Sequence, residues 1–220
     1  PALAHARWMQ DGVVPTTLFC LAAFRPGTSE MALLSSMQKQ GVGVYACDGH
    51  MVFSASTAQL ELSTTESLLD RFIRIWNQIF ADGRYADYDW TVRADMDTII
   101  IPSRLRLLLN FHCPGNHCGP MVVNSATLGS GPVEAVSRGA MHYLSTNWKA
   151  CANGGVLGDD VGTNIDRSFE MSACLQALLV QVVQDHGLVE SRFGATACDD
   201  EHAAFRPIHM WGQASDCLRQ

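Results

Sequence analysis

Residues 88–98 read Tyr88-Asp89-Trp90-Thr91-Val92-Arg93-Ala94-Asp95-Met96-Asp97-Thr98. The first seven form a strand pattern, rich in aromatic and β-branched residues. The strand runs into two carboxylates two positions apart. Ile99-Ile100-Ile101 follows, and Pro102 then opens a short helix, its fixed φ suiting the first helical turn.

Working outward from this segment, strands and helices alternate. Thr16–Ala23 is an apolar run between Pro15 and Pro26-Gly27, a buried strand. Ser29-Glu30 opens a helix with Met31, Leu34 and Met37 on one face, and Gly41 stops it. Val42–Cys47 reads as the second strand, ending at Asp48-Gly49, so strand, helix and strand make a βαβ unit with a parallel pair. Met51–Ser54 suggests a third short strand. The clearest helix spans about 64–80: Ser63 and Glu66 form a capping box, and Leu68, Leu69, Phe72, Ile73, Trp76, Ile79 and Phe80 make one apolar face. Further helices are expected at 132–146, opened by Gly131-Pro132, and at 166–186. The expected fold class is α/β, a mainly parallel central sheet flanked by helices. In such sheets ligands bind at the carboxyl ends of the strands, which is where this reading puts Asp48 and the pair Asp95/Asp97.

The whole-chain numbers narrow the function classes. The protein has 220 residues, 47% hydrophobic and 17% charged, which suits one ordinary domain with a substantial core, expected over 16–220 behind an extension at 1–15. No window holds about 18 consecutive apolar residues, so no membrane-spanning helix is expected. The net charge is −7 and no basic stripe appears, which argues against nucleic acid as a partner. Cysteines stand at 20, 47, 113, 118, 151, 174, 198 and 217, with no CxxC pair. An even, dispersed set suggests up to four disulfides and an oxidising compartment, a secretory or organelle lumen or the cell exterior. Eight cysteines allow 105 connectivities. A local bridge is easiest to defend for Cys113 and Cys118, which bracket Pro114-Gly115-Asn116-His117; buried free thiols are the alternative. Pro1 opens with no charged-then-apolar leader pattern, so any signal peptide is expected to have been removed.

The chemistry-bearing residues are few. Two carboxylates at a strand end can converge on one hard divalent cation, Mn²⁺ or Mg²⁺, which prefers oxygen ligands and neutralises charge on a diphosphate leaving group. A solvated loop or helix cap is the plainer reading of D-x-D alone. His112 and His117 beside Cys113 and Cys118 suggest zinc, although the turn-rich spacing fits a disulfide better. Trp90 and Trp148 are candidates for stacking on a sugar face or for the core. Asp159-Asp160 and Asp199-Asp200-Glu201 read as solvated loops. No hydrolase elbow or phosphate loop is visible.

Residues 88–98 resemble the strand and DxD turn of GT-A-fold glycosyltransferases, especially those with a signature like "lKvDDDtfv". Gly129–Ala140 is similar to that family's glycine-rich segment leading into a "vlSrdav" helix, and Glu170–Leu175 is similar to its "ED…CL" helix. Phe19–Gly49 and Ala204-Phe205-Arg206-Pro207-Ile208 resemble the "FlC…pGT…ACDG" and "fHP" elements of glycosyltransferase-like proteins of microalgae. The resemblance implies one GT-A-like domain, stapled by disulfides. It implies Asp95 and Asp97 as metal ligands with His209 as a third, and Asp48 as the nucleoside contact. Glu170 or Asp166 would be the general base on an acceptor hydroxyl, in metal-dependent transfer from a nucleotide-sugar donor to a glycan or protein acceptor. The chain also departs from the pattern: a single Glu170 stands where a paired "ED" is expected, and Arg206 stands in the histidine position. These departures support the alternative, a catalytically silent relative serving as an accessory subunit of a larger assembly.

Overall fold

The protein is described from a computed structural model, which covers residues 16–24, 28–54, 68–95, 98–116, 119–125, 132–153, 172–190 and 202–205. The first strand, β1 (Leu18–Phe24), has its first five residues buried, as its unbroken apolar run requires. Helix α1 (Ser29–Gln40) follows, with the Thr28 hydroxyl accepting from the Glu30 N–H at 3.3 Å and Gly41 closing it in the left-handed region at φ 63°.

The βαβ unit is present, but its second strand is displaced from the expected position. Residues 43–46 form a 3-10 turn, and β2 is Gly49–Ser54. Gly43 at φ 60° cannot lie in an extended strand, and an added Cβ there would meet the Met37 sulfur at 2.6 Å. The turn brings Cys47 back to Cys20 of β1, and the two form a disulfide with Cα atoms 6.0 Å apart. Cys113 and Cys174, which lie in separate cores, are each in a disulfide as well; Cys118, proposed as the partner of Cys113, lies outside the described residues.

Helix α2 (Leu68–Asp82) leads through a short turn to β3 (Trp90–Asp95), the strand of the decisive segment. The capping box at Ser63 and Glu66 lies outside the described residues. Next come β4 (Ile99–Ile100), helix α3 (Pro102–His112, Pro at its start) and β5 (Met121–Asn124). Two expected helices begin or end elsewhere. Residues 133–137 form β6, and helix α4 is Arg138–Asn153. The Ser137 hydroxyl accepts from the Ala140 N–H at 3.3 Å, so the helix starts after Ser137 rather than at Pro132. Helix α5 (Ser172–Ala177) is short: Leu179 turns left-handed at φ 62°, the Val180 N–H closes on the Leu175 carbonyl, and β7 (Gln181–Gln184) follows where helix was expected. The last strands among the described residues are β8 (Val189–Glu190) and β9 (Ala204–Phe205).

Among the described residues six strands form one sheet in the order β2-β1-β3-β6-β5-β7, and of these β6 alone runs against the others. Strands β4, β9 and β8 form a second, small sheet. Alternation across the large sheet builds two cores. On one face Leu18, Cys20, Val92, Val123 and Ala135 pack with Met37 of α1 and Leu105 and Leu109 of α3. On the other, Phe19, Leu21, Val122 and Val136 pack with Trp76 and Ile79 of α2, Met141, Leu144 and Trp148 of α4 and Leu175 of α5. The chain is thus the expected α/β layer structure, with a mainly parallel sheet between helices and a disulfide staple. No helix among the described residues is long and apolar enough to cross a membrane.

Candidate functional site

Connections leave β1 and β3, adjacent and parallel, in opposite directions: β1 leads through α1 to β2 on one side, β3 through α3 to β5 on the other. A crevice at the carboxyl ends of such strands is where open α/β sheets bind ligands. Asp95 is the last residue of β3 and lies opposite Ala23 of β1. Its backbone is held on both sides, the N–H donating to the Pro132 carbonyl and the carbonyl accepting from Thr98 N–H, each at 2.9 Å. The side chain is about one-fifth exposed at the sheet edge.

Behind Asp95 the sheet carries a row of buried polar residues. Arg93, two positions earlier and therefore on the same face, donates from Nη1 to Asp95 Oδ1 at 2.6 Å, with 2% of its side chain exposed. Leu21 of β1 stands in register with Arg93 on one side and Glu134 of β6 on the other, and Asn124 of β5 stands opposite Glu134. Glu134 is 1% exposed and Asn124 3%. Directly opposed residues bring their Cβ atoms to about 5 Å. Arg93 and Glu134 are charges in strands that otherwise read as core, and reading β3 outward from Asp95 did not single them out. The available signal was Arg93 interrupting the apolar run of β3.

The structure separates Asp48 from this place. It precedes β2, at the amino edge of the sheet, because the strand expected at 42–47 is a turn. Its Oδ2 accepts from the Leu18 N–H at 2.8 Å and from Arg106 Nη2 at 2.9 Å. Leu18 and Ala23, the residues of β1 level with Asp48 and Asp95, are five positions apart, roughly 16 Å along the strand. Asp89 does similar work at the same edge: Oδ2 accepts from Thr17 N–H at 2.9 Å and from the Thr17 hydroxyl at 2.8 Å, while Oδ1 pairs with Arg138. Both carboxylates satisfy donors at the start of β1 and fasten it to neighbouring elements.

Other candidates are also placed. Trp90 and Trp148 are 1% and 6% exposed and belong to the two cores, so neither is a sugar platform. His112 meets Asp185 Oδ2 through Nε2 at 2.6 Å, and Asp185 Oδ1 accepts from Gly187 N–H at 2.7 Å, which ties the end of α3 to the turn after β7. With Cys113 in a disulfide, the zinc reading has no support at this end of α3. Asp97, Asp166, Glu170 and His209 lie outside the described residues. Among the described residues no three His, Cys, Asp or Glu side chains stand close enough together to hold a metal ion. Asp95 supplies oxygen of the right hardness, but one of its oxygens is already bound to a guanidinium. Among the described residues, Asp95 is therefore a single carboxylate paired with a guanidinium.

No family model matches the chain, and no curated protein does. A solved structure of a glycosyltransferase involved in the glycosylation of the major capsid of PBCV-1 aligns with it at 12% identity and a TM-score of 0.46, covering 93% of this chain and 100% of that one.

Proposed function

We propose that the protein is glycosyltransferase-like and takes a nucleotide-sugar donor at the carboxyl edge of its sheet, beside β1 and β3. The observation that carries this reading is the position of Asp95: it ends β3 at the strand-order reversal and is partly open to solvent, in a segment that resembles the strand and DxD turn of GT-A enzymes. In the transfer, the bond between the sugar anomeric carbon and the diphosphate oxygen breaks and one to an acceptor oxygen forms. Glu170 or Asp166 takes the acceptor proton in this reading. Asp48, at the opposite edge, has no part in it. Titration calorimetry with UDP- and GDP-sugars, with and without Mn²⁺, tests the proposal. Saturable binding that Asp95→Asn weakens supports it, and no binding to any donor under either condition refutes it.

One observation favours a second reading, a silent relative working as an accessory subunit. Leu107 and Phe111, one turn apart on α3, are 51% and 80% exposed, a strip of the kind that protein interfaces cover. Sedimentation of the native protein separates the readings. A chain that stays alone and turns over a sugar donor excludes the accessory role.

A further inference from the structure

We infer that Arg93 is the resident cation of the carboxyl-edge site, so that Asp95 has its charge satisfied by the protein itself and holds no divalent metal. This departs from what the resemblance to metal-dependent enzymes implies, and it stands independently of whether a nucleotide-sugar binds.

The argument begins with where the guanidinium sits. Arg93 occupies the fourth position of β3, pointing to the face that carries α2, α4 and α5, with Leu21 and Glu134 level with it on the flanking strands. With 2% of the side chain exposed, it is enclosed by the sheet and its helices rather than lying on the surface. Its contact with Asp95 at 2.6 Å is a short charge-assisted bond, the strong kind for guanidinium and carboxylate. Arginine stays protonated at any ordinary pH, so the charge is permanent.

A divalent ion bound to Asp95 would therefore lie within a few ångströms of a fixed positive charge. In a partly buried site that repulsion is weakly screened and subtracts directly from metal affinity. Arg93 is held where it is by its burial, since moving the guanidinium away would break a short charge-assisted bond enclosed by the sheet.

The test is a Mn²⁺ titration, followed by electron paramagnetic resonance of the free ion, on the wild type, Asp95→Asn, Arg93→Met and the Arg93→Met/Asp95→Asn double variant. Arg93→Met removes the charge at similar volume. The expected wild-type result is Mn²⁺ binding no tighter than about 1 mM and the same in Asp95→Asn. Arg93→Met is expected to bind at least about tenfold tighter, with the gain lost in the double variant. A thermal scan adds a second readout: chelator leaves the wild-type midpoint unchanged, while Mn²⁺ raises that of Arg93→Met. Wild-type binding in the micromolar range that Asp95→Asn abolishes overturns the inference, as does an Arg93→Met protein with unchanged Mn²⁺ affinity. If Arg93→Met does not fold, the comparison of wild type with Asp95→Asn decides alone, since Asp95-dependent micromolar binding refutes the inference and its absence upholds it.

Discussion

Replacing Asp48 with alanine tests whether the two edges of the sheet have the different tasks assigned to them. The carboxylate accepts the Leu18 N–H at 2.8 Å and pairs with Arg106 at 2.9 Å. Leu18 is fully buried, so losing the acceptor strands a backbone donor at the start of the central strand. A hydrogen bond to a charged acceptor contributes about 1.5–3 kcal/mol, and a buried donor left unsatisfied costs about 1–3 kcal/mol, two views of the same loss rather than two terms to add. The Arg106 pair is partly exposed, 27% and 40% for the two side chains, and contributes about 1 kcal/mol at most. The expected destabilisation is therefore about 2–4 kcal/mol, which for a chain of this size lowers the melting midpoint by roughly 4–16 °C. Urea denaturation followed by tryptophan fluorescence measures it, and calorimetry with UDP-sugars measures binding on the same samples. Asp48→Ala is expected to be less stable and to bind donors as the wild type does below its transition. A variant that keeps its midpoint within about 0.5 kcal/mol but loses donor binding would refute the assignment, because it would make Asp48 a ligand residue.

Three further outcomes are expected. Replacing Cys20 and Cys47 together with alanine reopens a loop of 27 residues and lowers stability by about 3–4 kcal/mol in equilibrium denaturation, with far-ultraviolet circular dichroism retained. Asn77→Ala removes the acceptor 2.7 Å from the Trp148 indole nitrogen, inside the cluster where Trp148 meets Trp76 and Phe80. It is expected to cost about 1–2 kcal/mol and to shift the tryptophan emission. The Arg84 side chain bonds Asp82 and holds its carboxyl below the usual range, so the folded value lies under the unfolded one. That contribution is present above about pH 4 and is lost as pH falls through the lowered folded value. Both groups are well exposed, so Asp82→Asn is expected to remove at most about 0.5 kcal/mol of the acid-side dependence in a denaturation series over pH.

The local grammar of the chain set out most of the elements. The apolar run of β1, Ser29-Glu30 and the Gly41 stop of α1, and Pro102 at the head of α3 each act over a few residues, and these elements are where their patterns put them, as is the described part of α2. Two of the misreadings have one cause. Val42–Cys47 and Val133–Ser137 are both short apolar stretches, and such stretches suit a strand, a turn or a buried helix equally well until neighbours choose. Gly43 against Met37 and the bridge from Cys47 to Cys20 made the first a turn. Hydrogen bonding to β3 and β5 made the second a strand.

The same division runs through the candidate site. The sequence by itself determined that a strand ends at Asp95, because the run from Trp90 to Ala94 and the acidic turn after it are neighbours in the chain. It also determined the α/β class, the low basic charge and the supply of cysteines. Only the tertiary structure decided that Asp48 and Asp95 stand at opposite edges, that Asp89 fastens Thr17 just before β1, and that Arg93 is buried against Asp95 with Glu134 beside it. Strand direction, register and burial come from pairings between residues far apart in the chain. Electrostatics depends on those distances, so the charge that Asp95 faces could be read only once the strands were in place.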